Sequence, residues 1–298
     1  MPPTDPLDRV RAMAPLDRLL YWIQEREAIR LRKEAGEPPP WTRDPILMGY
    51  RFCNVRRMDD KVSRWLLEHW YDPHRDHPRM LLAAATARFF NLPSTLGAIT
   101  ELVFRPDGRW DGGAVIRKVR ALRKAGATVF NGAYMVRGND GPDKAASVMT
   151  HNVAMLARAR VAVDPTSMEK TWGRIVEVRG FGSFMAGQVV ADLRWAVSGS
   201  WADKDSWAPA GPGSTRGLNR LLDQPLKSTF SQEDFRAKLV ELIAECKRLL
   251  PSAITCRLEA MDYQNCLCEY DGYERTLWGQ GRKKERYDPS RPKYKGLD

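Results

Sequence analysis

The sequence predicts an all-α fold, and three observations carry the prediction. Apolar residues recur at helical spacing through most of the chain. Glycine, proline and capping residues punctuate these segments where helices start and stop. The third observation is the stretch Thr171 to Trp195, which reads as a helix, a tight glycine hairpin and a second helix. Trp172, Ile175 and Val178 share a stripe before the turn, and Phe184, Ala186, Val189, Val190 and Leu193 share one after it. Gly180-Phe181-Gly182 lies between them. Gly180 can take the positive φ that ends a helix, and Gly182 lets backbone approach a partner. Phe181 is placed to plug the gap between the helices. The spacing by itself fits an ordinary αα-hairpin as well.

Taken in order, the first helix spans about Leu16 to Ala35, with Leu16, Leu19, Leu20 and Ile23 on one stripe and Gly36 and Pro38-Pro39-Pro40 ending it. The segment Trp41 to Arg57 mixes aromatics with arginines. Such a mix can hold DNA by phosphate contacts and stacking, with Arg51, Asn54 and Arg57 as candidate contacts, or consist of core aromatics flanked by solvated arginines. Helices follow near Asp60 to His69, Arg79 to Phe90, Ser94 to Leu102 and Gly112 to Lys124. Phe130 to Val136, bounded by glycine and asparagine, is a loop or short strand. Pro142 starts a helix to about Ala162 that carries His151, read as structural. Beyond the hairpin, Ser198 to Pro212 is a loop, Thr215 to Leu222 a short helix, and Ser231-Gln232-Glu233-Asp234 a capping box for a helix to about Leu250. The last helix spans Met261 to Leu277. Residues 1–280 are expected to form one helical catalytic domain with room for two packed lobes, and 281–298 a basic, extended and mobile tail that serves as a DNA arm or is simply solvated.

A chain of 298 residues can bury a substantial core, and a net charge of +11 points to a polyanionic partner, though charge alone fits nucleic acid, an anionic membrane surface or simple solubility. No apolar run reaches membrane-span length, and MPPTDPLDRVRAM lacks a signal-peptide core, so a cytoplasmic protein with no membrane partner is expected. Five cysteines, an odd number in a large chain, read as reduced thiols. Cys266-x-Cys268 does not match zinc spacing, and the C-terminal cysteines do not form an iron–sulfur ligand loop. No metal and no redox cofactor are expected.

Val178-x-Gly180-Phe181-Gly182-x-x-x-Ala186-x-x-Val189 resembles, position by position, the hairpin of the helix-hairpin-helix DNA glycosylases. At such a helix start the N–H groups of Gly182, Ser183 and Phe184 favour an anion, and in a basic chain that anion is a DNA phosphate, with Arg179 and Gly180 alongside. The resemblance implies a glycosylase-like helical fold. The catalytic aspartate of those enzymes follows the second hairpin glycine, and the equivalent count leads here to Ala202, beside Asp203 and Asp205. Lyase-type members carry a lysine where this chain has Phe184, so amine attack by the protein on the sugar is not expected. The segment Asp205 to Asn219 sets a carboxylate ahead of a glycine-rich turn feeding a helix. Gly211, Gly213, Ser214 and Arg216 could offer N–H, hydroxyl and guanidinium donors to a phosphate or carboxylate, or form a plain Pro-Gly connector.

Several separated motifs point further: Trp41-Thr42-x-Asp44-Pro45-Ile46, Tyr50-Arg51-Phe52-x-Asn54-Val55-x-Arg57, Gly180 to Phe184, Asp192-Leu193, Asp205 through Ser214, and Cys268-Glu269-Tyr270. Together they resemble the phage α-glutamyl/putrescinyl thymine pyrophosphorylases, the amino acid:DNA transferases, over roughly Leu16 to Tyr287. The resemblance implies an all-helical enzyme of thymine hypermodification in DNA, located in the bacterial host's cytoplasm if phage-encoded. Members act after a kinase has activated 5-hydroxymethyluracil as a phosphate ester, and they displace that group with the amine of an amino acid or polyamine. The implied partners are double-stranded DNA bearing the activated base, an amino acid or polyamine as co-substrate, and an upstream DNA-base kinase. No GxxxxGK[ST] occurs in the sequence, so another protein is expected to supply the activated base.

The target methylene belongs to a stacked base, so extrusion into a pocket is the expected route. A carboxylate must accept the amine's proton, and cations or N–H donors must meet the departing phosphate. Asp205 is assigned as that base, with Asp192 and Glu269 as rivals. Two other readings stay open: a DNA glycosylase that excises a modified base with Asp203 or Asp205 steering water, and a non-catalytic DNA-binding protein that clamps phosphates with hairpin and tail.

Overall fold

The computed structural model describes residues 5–131, 143–281 and 286–288. Its longer helices are Pro15–Glu34 (α1), Met80–Phe90 (α2), Pro93–Val103 (α3), Gly112–Lys124 (α4), Met168–Val176 (α5), Ser183–Ala196 (α6), Pro212–Leu221 (α7), Gln232–Leu249 (α8) and Ala260–Leu277 (α9). The fold is all-helical: among the described residues extended pairing is confined to an isolated antiparallel bridge between Tyr50 and Arg286. The chain divides into two compact units, one made of residues up to Asp60 together with those from Asp205 on, the other of Lys61–Lys204.

Helix boundaries follow local chemistry. Pro15 starts α1 without needing its missing N–H, and Ser231 caps α8 by accepting the N–H of Asp234 at 3.0 Å. The segment expected from Pro142 differs in detail. Pro142 lies outside the described residues, Asp143 caps the helix through Ala146 N–H at 3.0 Å, and the run ends at Arg158 before Arg160 at φ +49°. Within it, Met149–Val153 widens into a π-type turn. Of the strand-like stretch, Phe130 forms a bend, and Gly132 to Val136 lie outside the described residues.

In the unit built from both ends of the chain, α7 lies directly on α9. Gly217 sits against the backbone of Leu267 and Gly213 against the Cys268 side chain, so closely that a Cβ at either position would collide. The core around them is aromatic, with Trp22, Trp207, Phe235, Tyr263, Tyr270 and Tyr273 fully buried. Asp44 organises one edge: its Oδ1 accepts the N–H groups of Ile46 and Leu47 at 2.8 and 3.0 Å, capping Pro45–Gly49. Its Oδ2 accepts the hydroxyls of Tyr21 and Tyr273 at 3.1 and 2.6 Å. The Thr42-x-Asp44-Pro45 motif therefore closes a helix start and clasps two tyrosines.

In the Lys61–Lys204 unit every residue of α2 is buried, as its nearly unbroken apolar sequence requires. Helix α6 packs on it and contributes Ala186, Val189, Val190 and Leu193 to the interior. An internal ion pair joins the two helices: Arg88 donates from Nε to Asp192 Oδ2 at 2.5 Å and from Nη2 to Oδ1.

Candidate functional site

The hairpin forms between α5 and α6. Ser167 caps α5, accepting Lys170 N–H at 3.2 Å, and Asp203 reinforces the cap. The Asp203 carboxylate accepts the N–H groups of Met168 and Glu169 at 2.8 and 2.9 Å and the Ser167 hydroxyl at 2.8 Å. Helix α5 ends at Val176, two residues before its apolar stripe does, and Val178 is buried beyond it. Gly180 turns the chain at φ +97°, where a Cβ would come 2.6 Å from the carbonyl oxygen of His151. Asn152 donates to Gly180 O at 2.6 Å, and the Trp172 indole donates to Ser183 O at 3.1 Å.

Phe181 is buried and packs edge-on against Phe89 of α2, with centroids 5.6 Å apart. The plug thus fills a gap toward α2 rather than only the space between the hairpin helices. Burying a phenylalanine contributes about 1.5–3 kcal/mol. Arg179, Gly180, Gly182 and Phe184 are exposed around this anchor, with Ser183 partly exposed. Gly182 is the N-cap of α6 and supplies no side-chain cap, and a Cβ there would meet no heavy atom within 4 Å.

The sequence-predicted residues of the other unit take two different courses. Gly211, Gly213, Ser214 and Arg216 belong to the start of α7, which begins at Pro212 and not at Thr215 as the glycine-rich turn implied. Ser214 is fully buried, with its hydroxyl donating to Gly211 O at 3.1 Å and accepting Gln264 Nε2 at 3.0 Å. Gly213 is spent on contact with Cys268. Arg216 and Arg220 both donate to the buried Asp271 carboxylate, at 2.9 and 3.0 Å. The expected anion cradle is therefore used inside the fold: small residues admit α9, and the guanidinium serves an internal carboxylate.

Glu269, Asn54, Arg57 and Arg51 instead converge. Glu269 Oε2 accepts the backbone N–H of Cys53 at 3.2 Å across a separation of 216 residues. Arg26 of α1 pins the same loop, donating to Cys53 O at 3.0 Å, Phe52 O at 3.3 Å and Asn54 Oδ1 at 2.6 Å. Asp60 accepts Asn54 N–H at 3.1 Å, and Asp262 accepts Arg57 N–H at 2.7 Å. Burial pushes the Asp60 carboxyl up to about 6, against the Asn54 N–H and the Arg26 and Arg57 charges, while Glu269 adds to the rise. Burial likewise pushes Asp262 up to about 6. The Arg26 guanidinium is lowered by burial, with Asp60, Cys53 and Glu269 acting in the opposite direction. The result is a half-buried group of carboxylates and cations next to an exposed thiol, Cys53.

Asp192 is buried in the other unit and engaged by Arg88, with the Tyr71 hydroxyl donating to it at 2.5 Å. Arg88, brought there by α2, is its ionic partner. Asp205 is exposed, near enough to Tyr263 to add to the rise of that phenol, whose main cause is burial. Arg26, Asp60 and Asp262 escaped the sequence reading. Asp262 had a local signal, Glu259-x-x-Asp262 ahead of an apolar helix, and it accepts Glu259 N–H at 2.9 Å. Nothing in the helical stripe of α1 singles out Arg26. Residues 286–288 of the basic tail are held in place by the bridge to Tyr50 and by Tyr287 N–H on Gly49 O at 3.0 Å, and the rest of 282–298 lies outside the described residues.

A family model described as "5-hmdU DNA kinase, helical domain" matches residues 14–283. The chain is also similar to the "5-hmdU DNA kinase" of Bacillus phage SP10, with 28% identity over 232 residues. That match covers 68% of this chain and 36% of the phage protein, so the chain spans little more than a third of its relative's length. No solved structure matches it. No helix among the described residues is long and apolar enough to cross a membrane.

Proposed function

Because the chain belongs to the family of 5-hmdU DNA kinase helical domains, we propose that it acts on 5-hydroxymethyluracil in DNA as an amino acid or polyamine transferase. In this reaction the amine nitrogen attacks the C5 methylene of the activated base. The carbon–oxygen bond breaks, phosphate or pyrophosphate leaves with the bonding electron pair, and the ammonium proton passes to a carboxylate. Base extrusion precedes the attack.

The observation that carries this reading is the meeting of Glu269 with the Cys53–Asn54 loop beside Arg26 and Asp60. Displacement by an amine needs a proton acceptor and positive charge in one place, and this group supplies both. Glu269 is the favoured base. Asp205, which is exposed, is the second candidate, and Asp192 is disfavoured by its burial and its pairing with Arg88. Phosphoryl transfer by these residues is disfavoured because they contain no GxxxxGK[ST], so the kinase step is assigned outside them. The hairpin, with Arg179, Gly180, Gly182 and Ser183, is assigned to the DNA backbone.

The test is direct. Incubate the protein with duplex bearing 5-phosphomethyl- or 5-pyrophosphomethyluracil and a panel of amino acids and polyamines, then digest and weigh the nucleosides. A nucleoside carrying the amine on its C5 methylene is expected. Abasic sites without adducts would replace this reading with the glycosylase, and new phosphate on unactivated 5-hydroxymethyluracil with a kinase.

A further inference from the structure

Lys33 stands two turns after Arg26 on the same side of α1, and both side chains reach toward Arg51 and Tyr287. The Lys33 ammonium donates to the Tyr287 hydroxyl at 2.9 Å. It also lies 4.5 Å from the centroid of the Trp41 ring and 4.3 Å from that of Tyr287, and the Arg51 guanidinium is 5.3 Å from the Tyr287 ring. No carboxylate among the described residues forms an ion pair with Lys33. Arg26 makes its hydrogen bonds to neutral oxygens, and its buried Nη1 has no hydrogen-bond partner among the described residues.

The charges of Arg26 and Arg51 both act against the Lys33 ammonium, while Asp60, Glu269 and Glu27 offset part of the charge on Arg26. Burial first, and then the charges of Arg26 and Arg51, push Lys33 down to about 8. Holding the Lys33 ammonium charged there is costly, and a compact anion placed beside Lys33 and Arg51 would offset that cost. Cation–π contact with Trp41 and Tyr287 offsets part of the repulsion and fixes the lysine's direction.

We propose that Arg26, Lys33 and Arg51, walled by Trp41 and Tyr287, form a binding site for a phosphate monoester or pyrophosphate group. Its identity as the leaving group of the activated base rests on the transfer reading above; the capacity to bind such an anion does not. Lys33 and Arg51 hold the anion, and Arg26 is a positioning residue that fixes the Phe52–Asn54 loop while adding its charge. The groups facing Lys33 are Arg26 from its own helix, Arg51 from the loop after Pro45–Gly49, and Tyr287 with the adjoining Asp288 from the C-terminal segment.

The experiment is calorimetric titration of the full chain with inorganic pyrophosphate, alongside titration with unmodified duplex DNA. Lys33→Gln and Arg51→Gln should each weaken pyrophosphate binding by about tenfold or more, as loss of a charge-assisted contact implies. Duplex affinity should change less than about twofold, since a backbone phosphate is held by many contacts. Lys33→Arg, which keeps the charge, guards against a folding artefact. With sulfate as the probe, whose charge is constant, wild-type affinity should fall as pH rises through about 8 while Lys33→Arg holds its affinity. No pyrophosphate binding by the wild type, or variants that bind it normally, would overturn the site. Equal losses for duplex and pyrophosphate would make it a contact for backbone phosphodiesters and overturn it as well. Pyrophosphate binding without amine transfer would leave the site standing and remove the transferase.

Discussion

Glu269 holds the backbone N–H of Cys53 at 3.2 Å, which ties the middle of α9 to the loop that follows Pro45–Gly49. If this carboxylate is the base, Glu269→Gln keeps an acceptor for Cys53 and loses only the proton-accepting charge. Transfer should then drop by about 10²-fold or more with duplex affinity near wild type, measured by nucleoside mass spectrometry and fluorescence anisotropy. Asp205→Asn serves as the matched comparison. The larger loss identifies the base, and equal small losses would exclude both.

Gly182 and Gly180 offer a contrast between contact and conformation. A Cβ at Gly182 enters open space with ordinary φ, so Gly182→Val should fold with an unchanged melting temperature. It should still weaken duplex binding by about tenfold whatever the sequence, because it crowds the phosphate approaching the start of α6. Gly180→Ala, at φ +97° and against His151 O, should instead lower the melting temperature. Unchanged duplex affinity in folded Gly182→Val would remove the hairpin from DNA binding.

Arg88 and Asp192 are both buried, so removing one takes away the other's ionic partner. Arg88→Met should cost about 3–5 kcal/mol in urea unfolding. Asp192→Asn should also destabilise. If it instead preserved stability and abolished transfer, Asp192 would have to be returned to the chemistry.

Asp60 and Asp262 each titrate near 6 in the fold and near the usual carboxylate value when unfolded. Between those values the folded chain binds more protons than the unfolded chain, so their contribution to stability falls as pH rises from about 4 to 6. Asp262→Asn should flatten that decline by an amount on the order of 1–3 kcal/mol, read from denaturation at several pH values. An identical pH profile in the variant would show that Asp262 does not titrate in this range.

The helical architecture was legible because its causes are local. Stripes, prolines and caps such as Ser231 and Pro15 act within a few residues, and α4 and α8 fall where their patterns put them. The hairpin was legible for the same reason, since Gly180 needs its positive φ and Phe181 needs burial. The packing role of the Gly211–Arg216 segment was not legible because a glycine that admits a ligand and one that admits a neighbouring helix read alike. Only the contacts with Leu267, Cys268 and Asp271 distinguish them. Arg26 and Asp60 were hidden because they act on Asn54 through the fold, and no spacing rule connects α1 to that loop.

The unit that carries Glu269 is written in two pieces, one ending at Asp60 and the other starting at Asp205, whereas the hairpin's unit is contiguous from Lys61 to Lys204. Synthesis runs in one direction, and contacts between distant residues cannot form until the later partner has emerged. A nascent chain that has reached Lys204 therefore contains every residue of the hairpin's unit, while Arg26, Asn54 and Asp60 still await α9. A polypeptide truncated in that interval has the hairpin's residues and lacks Glu269, so on the proposed reading it would compete for the nucleic acid without altering it.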